Sequence, residues 1–260
     1  MEPRNKFDSS GLFDSSGRLI STVPTPAHAE EPGAAPIQPQ SVEIANPSSP
    51  QSGGAVPPKN PGDTAAHREP PPQISNAEFV KAIFGTLPDR VSAVVCSKPG
   101  DPTSGGWHAM KAGQVDQQCL AGWNNYANCS IFREESPGTI HARKDSFSAL
   151  HFILLDDMGT KAQWAQLGDF KPSFVIETSP GNYQAGIILA QPLVDIEMAT
   201  RLLNAVIAKG MSDPGATGVA RWARLPVGIN GKPKYKTPSG DSFLCRLVRW
   251  NPERRYKVAE

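Results

Sequence analysis

The sequence predicts an α+β domain in which helices pack against a mainly antiparallel sheet. Short apolar runs bounded by turn residues recur along the chain and predict strands. Two of these runs flank a Pro-Gly-Asn turn, which predicts a β-hairpin. Two other segments have the character of amphipathic helices, and a mixture of hairpins and helices is typical of the α+β class.

Composition divides the chain into two parts. Residues 1–75 are rich in Pro, Ser, Gly, Ala and Gln and have no sustained apolar period, so we expect a disordered tail. Residues 76–260 are long enough to form one domain with its own core. The tail carries five basic and eight acidic residues and the remainder twenty-one and seventeen, so a net charge of +4 lies on the predicted domain.

The elements follow from local patterns. One helix is predicted at 76–84, and a second begins after Asp195, an N-cap residue, and ends at Gly210. The second helix has its apolar residues on one face. Apolar runs rich in β-branched and aromatic residues predict strands at 91–97, 107–110, 126–132, 152–155, 173–178, 183–189 and 242–250.

The strand at 152–155 ends in two adjacent acids, Asp156 and Asp157. Neighbouring carboxylates repel each other when poorly solvated, and a divalent cation with oxygen ligands relieves that repulsion. The pair therefore indicates a site for Mg²⁺ or Mn²⁺. The alternative is a simple turn or helix cap, since Asp-Asp-x-Gly is also common turn chemistry.

The predicted hairpin offers polar groups at its turn. Backbone N–H groups, the hydroxyls of Thr178 and Ser179 and the amides of Asn182 and Gln184 can together bind phosphate oxygens. A plain surface hairpin is the alternative.

A basic segment follows Asp213. From Arg221 to the C-terminus there are ten Lys or Arg residues and three acids. Arginine suits bidentate phosphate contacts and lysine acts as a mobile point charge, which indicates phosphate or nucleic-acid binding. The residues concerned are Arg221, Arg224, Lys232, Lys234 and Lys236. A solvated basic tail is the alternative.

Several aromatic residues invite a base-stacking interpretation, namely Trp107, Trp123, Tyr126 and Trp222. Core packing is the default for such residues. We predict stacking only for Trp222, because Arg221 and Arg224 flank it.

The order of three motifs, DDMGTK, ETSPGNYQ and DPGATGVARWARLPVGINGK, resembles the RepB-like DNA primase domain of phage, plasmid and mobile-element replication proteins. That family belongs to the archaeo-eukaryotic primase superfamily. The resemblance covers about 74–250 and is most specific at 151–232. It implies an RRM-like catalytic core and nucleotidyl transfer assisted by two divalent metals, Mg²⁺ or Mn²⁺.

The resemblance also implies roles for individual residues. Asp156 and Asp157 take the place of the first acidic motif, and Asp213 is the expected third metal ligand. Gln184 stands where the superfamily has a hairpin histidine. The superfamily's paired acids are usually separated by one residue, whereas these are adjacent. Because successive side chains in a strand point to opposite faces, both acids can serve one site only if the strand has ended there.

The function expected is that of a DNA primase that makes short primers on a single-stranded DNA template from NTPs or dNTPs. The sequence has no phosphate-binding loop of the G-x-x-x-x-G-K-[S/T] type. A separate replicative helicase is therefore an expected partner, and a truncated chain is the alternative. No apolar run is long enough to span a bilayer, which predicts a location in the bacterial host cytosol. The alternative is a non-catalytic single-stranded DNA or origin-binding module with the same fold.

Overall fold

The computed structural model describes residues 72–258, which form three α-helices and eleven strands. The tail predicted at 1–75 lies outside the described residues, apart from 72–75. The helices are α1 (Asn76–Phe84), α2 (Val115–Gln118) and α3 (Ile196–Ala208). The strands are β1 (Val91–Lys98), β2 (Met110–Lys111), β3 (Asn124–Arg133), β4 (Phe147–Met158), β5 (Phe174–Ser179), β6 (Asn182–Leu193), β7 (Trp222–Arg224), β8 (Ile229–Asn230), β9 (Phe243–Leu244), β10 (Arg246–Trp250) and β11 (Arg255–Tyr256).

Nine of these strands form one sheet. Its main path runs β10-β5-β6-β4-β3-β1-β2, with β11 beside β6 and β7 beside β3. Strands β8 and β9 form a separate two-stranded ribbon. Among the described strands every pairing is antiparallel except that of β11 with β6. The predicted α+β class with a mainly antiparallel sheet is therefore confirmed.

Helix α1 begins at a capping box. The Ser75 hydroxyl accepts from the Glu78 N–H, and the Glu78 carboxylate accepts from the Ser75 N–H. Its buried face carries Phe79, whose ring centre lies 5.0 Å from that of Phe174 in β5 and 4.9 Å from that of Trp250 in β10. These aromatic contacts attach the start of the domain to the β10 edge of the sheet.

Helix α3 confirms the second predicted helix. The Asp195 carboxylate accepts from the N–H groups of Glu197 and Met198, so it caps the helix as expected. The helix buries one face, formed by Ala199, Leu202, Leu203 and Val206. This face joins the single large core that also contains the buried residues of α1 and β4.

Three predicted strands differ from those observed. The strand expected at 107–110 is reduced to β2, because Trp107 packs against Tyr126 and Trp222 instead of joining the sheet. The strand expected at 242–250 is broken at Cys245, since β9 pairs with β8 while β10 pairs with β5. Strand β4 does not stop before its acids but continues to Met158.

All four cysteines, Cys96, Cys119, Cys129 and Cys245, are free and buried. Within residues 72–258, no helix combines the length and apolar character needed to cross a membrane.

His151 lies in β4 and makes the fold sensitive to acid. Its ring packs 5.0 Å from that of Phe84, and its Nε2 has no hydrogen-bond partner in the described part of the chain. Burial, together with repulsion from Arg255, lowers the pKa of His151 to about 4. As the pH falls, His151 is therefore protonated near pH 6.5 in the unfolded chain but only near pH 4 in the native state.

We predict that His151 contributes stability that is fully present above about pH 6.5 and falls as the pH approaches 4. Between pH 7.5 and 5.5 this loss is about 1 kcal/mol. Urea unfolding at the two pH values will measure this loss of unfolding free energy. The loss in His151→Phe should be smaller than that in wild type by about 1 kcal/mol. The exposed His108→Gln is the control, and an equal loss in His151→Phe and wild type would refute the prediction.

Candidate active site

An open cavity of about 590 Å³ lies beside the acid pair of β4. Its lining contains three groups of side chains with distinct chemistry. The acids are Asp156, Asp157 and Asp213; the cations are Lys161, Arg221, Arg224 and Lys232; the aromatic residues are Trp107, Tyr126 and Trp222. The neutral polar residues of the lining are Thr103, Thr178, Gln184 and Asn230.

A β-bulge brings both acids of β4 to this cavity. Leu155 pairs with Ala185 and Met158 pairs with Tyr183, so Asp156 and Asp157 together face the single residue Gln184 of β6. Asp157 has a φ of 54°, in the left-handed region that Asp tolerates better than most residues. The expectation that the strand must end at these acids is therefore wrong, because the bulge replaces the strict alternation of side chains.

The turn after the bulge is fixed to the β5–β6 hairpin. The Asn182 amide donates to the Asp157 carboxylate at 2.9 Å, and its oxygen accepts from the Thr160 hydroxyl at 3.0 Å. Gly159 has a φ of 86°, and a Cβ built on it would lie 2.7 Å from the Gly181 carbonyl oxygen. Only glycine allows the two turns to approach this closely.

Asp156 is held by an arginine and a glutamine. Its carboxylate pairs with Arg221 at 2.7 Å and accepts from the Gln184 amide at 3.0 Å. The side-chain oxygen of Gln184 accepts from the backbone N–H of Arg224 at 2.7 Å. The side-chain amide nitrogen of Gln184 therefore remains free to donate to Asp156. Gln184 thus links β6 and β7 through its side chain and orients the Asp156 carboxylate.

Asp213 reaches the same place from the loop after α3. Its N–H donates to the Asp156 carbonyl at 3.1 Å, while the Asp156 N–H donates to the Ser212 hydroxyl at 2.9 Å. These backbone contacts fix the loop against the bulge. The neighbouring Lys161 ammonium lowers the pKa of the Asp213 carboxyl, with a further contribution from the Gly215 N–H.

Arg224 is a buried cation with neutral partners. Its guanidinium donates to the oxygens of Asn124, Ile229 and Asn230 at 3.3, 2.6 and 2.8 Å and lies 4.8 Å from the centre of the Tyr126 ring. None of the ion pairs formed within residues 72–258 involves it. A buried charge without a carboxylate partner makes the cavity attractive to an anion.

The predicted site residues separate into two sets. Those at the cavity are Asp156, Asp157, Asp213, Gln184, Arg221, Trp222, Arg224 and Lys232. Four others are not in its lining: Ser179, Asn182, Lys234 and Lys236. Ser179 and Asn182 are buried in the hairpin, whereas Lys234 and Lys236 are exposed on the segment after Lys232.

Lys161 and Trp107 are among the cavity residues that were not predicted as site residues from the sequence. Lys161 ends the DDMGTK motif, and its signal in the sequence is its place in that motif close to two acids. Trp107 was expected in the core, yet it is 46% exposed and its ring stacks on that of Trp222, 5.9 Å between centres and 22° between planes. No local pattern indicates this placement, which depends on a contact between distant parts of the chain.

The acids suit a hard divalent cation by their chemistry, since all three offer carboxylate oxygens. A single ammonium group, that of Lys161, already lies 2.9 Å from Asp157 and 2.7 Å from Asp213, so these two carboxylates can converge on one cation. As they stand, however, the described residues contain no cluster of three or more His, Cys, Asp or Glu side chains arranged as a metal site. The carboxylates instead form ion pairs with Arg221 and Lys161.

Comparison with known proteins gives a consistent picture. Residues 125–260 match the model of the RepB DNA-primase N-terminal domain family. A DNA primase of Acidithiobacillus ferrooxidans is 34% identical over 102 residues, which cover 38% of this chain and 29% of that protein. The chain therefore spans less than a third of the length of this relative.

Two solved structures are similar. One is the AEP domain of the cyanophage S-2L primase-polymerase, with a TM-score of 0.46 and 13% identity, covering 68% of this chain and 91% of that one. The other is the catalytic domain of primase RepB′ in complex with initiator DNA, with a TM-score of 0.44 and 17% identity, covering 70% and 87%.

Gln184 provides a test of the contacts around the acids. In Gln184→Glu a carboxylate replaces the amide that donates to Asp156 at 3.0 Å, so two like charges meet. We predict that the variant loses about 1–3 kcal/mol of stability at pH 7.5 and recovers part of it at pH 5, where the introduced carboxyl can be protonated. Thermal melting at both pH values measures this, with exposed Gln166→Glu as the control. A variant as stable as wild type at pH 7.5 would argue against the Gln184–Asp156 contact.

Proposed function

Because this chain belongs to the RepB DNA-primase N-terminal domain family, we propose that it is a DNA primase, a template-directed nucleotidyltransferase that makes short primers on single-stranded DNA. One observation carries the proposal. Three carboxylates, four cationic side chains and a stacked aromatic pair, of which Trp107 is exposed and Trp222 partly buried, line one cavity. These are the groups needed to bind metal ions, a triphosphate and a nucleobase.

The acids would hold Mg²⁺ or Mn²⁺. When bound, two such ions lower the pKa of an attacking 3′-hydroxyl and stabilise the leaving pyrophosphate. Asp156, Asp157 and Asp213 supply carboxylate oxygens from two segments that are joined by backbone hydrogen bonds. Gln184 and Asn182 act through the acids, because their amides donate to Asp156 and Asp157.

The cations would bind the triphosphate. Arg224 is a fixed positive charge because it is buried and held by three oxygens. Lys232 lies at the cavity with a partly exposed side chain and can follow a moving phosphate. Arg221 contacts Asp156 and lines the same cavity, so it would reach a phosphate bound beside the acids. Together they offset the charge that shifts during phosphoryl transfer.

The template strand would pass the aromatic pair. Trp107 presents its exposed ring at the cavity, and Trp222 supports it by stacking behind it. An indole face accepts any nucleobase, which suits a template of varied sequence. The exposed Lys234 and Lys236 lie farther along the chain and would contact the DNA backbone. Ser179, which is buried in the hairpin, would support the nucleotide side of the cavity from behind.

We also propose the biological setting. The primers would serve replication of a phage or mobile element in the bacterial cytosol, alongside a separate replicative helicase and with NTPs or dNTPs as substrates. Membership of the RepB primase family supports this setting.

A second function has an observation in its favour. Each acid is already paired with Arg221 or Lys161, and the described residues contain no assembled metal cluster. This arrangement also suits a single-stranded DNA-binding module that has lost its chemistry. Such a module would bind DNA with a steep salt dependence and show no metal-dependent synthesis.

The two functions separate in a primer-synthesis assay with single-stranded DNA, labelled NTPs or dNTPs, and Mg²⁺ or Mn²⁺. We predict that Asp156→Asn and Asp157→Asn each lower synthesis by more than about 100-fold, because each removes a carboxylate ligand. Asparagine preserves the shape of the side chain and tolerates the left-handed backbone of position 157.

Exposed Asp169→Asn is the control and should retain full synthesis. DNA binding and the melting temperature should change little in all three variants. Undiminished synthesis in Asp157→Asn would remove the metal assignment, and DNA binding without synthesis by wild type would favour the binding module.

The aromatic pair is tested by binding. We predict that Trp107→Ala weakens binding of a short oligothymidylate by about 1–3 kcal/mol, the usual value of stacking one base. Fluorescence anisotropy with a labelled oligonucleotide measures this, and Trp107→Phe should restore part of the loss. The partly exposed Trp123, which lies outside the cavity lining, supplies the control variant Trp123→Ala. If an oligonucleotide with abasic sites binds wild type as tightly as the intact one, the stacking role is wrong.

A further inference from the structure

Lys161 bridges two of the proposed metal ligands. Its Nζ lies 2.9 Å from the Asp157 carboxylate and 2.7 Å from the Asp213 carboxylate, and these contacts join the turn after β4 to the loop after α3. Both carboxylates are partly buried, with 24% and 19% of their side chains exposed. The lysine side chain is 60% exposed and can leave its position without disturbing the core.

The backbone of Lys161 is fixed while its side chain is free to move. Its N–H donates to the Asp157 carbonyl at 3.0 Å, and the preceding Thr160 is bound to both Asp157 and Asn182. The side chain reaches the acids through a flexible four-carbon stem. Rotation about these bonds can therefore redirect the ammonium group within the cavity that Lys161 already lines.

Arg221 behaves differently at the neighbouring acid. Its guanidinium contacts both Asp156 and the Gly215 carbonyl, and only 19% of its side chain is exposed. A planar group held at two points is less free to leave than an ammonium on a stem. Lys161 is consequently the more mobile of the two cations that contact the acids.

We propose that Lys161 is a displaceable counter-ion of the metal site, an inference that rests on the proposed primase function. Without metal it neutralises the Asp157–Asp213 pair. A divalent cation and the ammonium group compete for the same carboxylate oxygens, so binding of the metal releases Lys161. The released ammonium then binds a phosphate oxygen of the incoming nucleotide. The phosphate thereby replaces the two carboxylates as the negatively charged partner of Lys161.

This exchange has a thermodynamic consequence. Competition by Lys161 lowers the apparent affinity of the acids for metal when no nucleotide is present. A triphosphate gives Lys161 an alternative partner and removes that penalty, so metal and nucleotide favour each other's binding. The site would thereby bind metal more tightly once a nucleotide is present.

Lys161→Met keeps the length of the side chain and removes its charge. With Mn²⁺ as the only ligand, monitored by the electron paramagnetic resonance signal of the free ion, we expect the full chain carrying Lys161→Met to bind about five- to tenfold more tightly than wild type. In primer synthesis at saturating Mn²⁺, the variant should show a KM for nucleotide about tenfold higher and a smaller change in kcat.

Two further variants serve as controls. Lys161→Arg keeps the charge and should bind Mn²⁺ about as weakly as wild type. Lys171→Met removes an exposed lysine outside the cavity and should change neither the affinity for Mn²⁺ nor the KM for nucleotide. Thermal melting checks that each variant is folded.

The outcomes separate the two proposals. If Lys161→Met and wild type bind Mn²⁺ equally and both make primers, the role of Lys161 is wrong and the primase function stands. If neither protein binds Mn²⁺ or makes primers, the metal site itself is absent and both proposals are overturned. Tighter Mn²⁺ binding combined with a raised KM supports the exchange.

Discussion

The candidate site depends on the β-bulge at Asp156 and Asp157. In a regular strand these neighbours would point to opposite faces, and only one could reach the cavity. The extra residue opposite Gln184 and the left-handed backbone of Asp157 bring both to the same side. Such a backbone conformation persists only where its surroundings support it, and here Asn182 and the close contact between Gly159 and Gly181 provide that support.

The charges of the cavity are nearly balanced, and this governs what the cavity can bind. Three carboxylates face four cations, one of which, Arg224, is buried without a carboxylate partner. A divalent cation that binds alone must displace Arg221 or Lys161 from the acids. A polyanion that binds alone is repelled by the three carboxylates. A metal ion together with a triphosphate satisfies both sets of groups, which favours nucleotide and metal as joint ligands.

The sequence was most informative where local physics decides the outcome. The apolar spacing and Asp195 cap located α3, and Pro180-Gly181 located the turn between β5 and β6. The site residues that lie within short sequence motifs, such as Asp156 and Gln184, were predictable from those motifs. It was not predictable where contacts join distant segments: β7 pairs with β3 across almost one hundred residues, Trp107 stacks on Trp222, and a bulge changes the direction of Asp157. Strand alternation and local spacing carry no information about such contacts.

The central claim is that one cavity binds the metal and the triphosphate together. A crystal structure of the chain with Mn²⁺ and a non-hydrolysable deoxynucleoside triphosphate tests it most directly, because the anomalous signal of manganese locates the ion independently of the protein. We predict manganese bound to oxygens of Asp156, Asp157 and Asp213, with the triphosphate extending toward Arg224 and Lys232 and the Lys161 ammonium on a phosphate oxygen. Manganese or triphosphate bound outside this cavity, with Lys161 still between the two acids, would contradict the account.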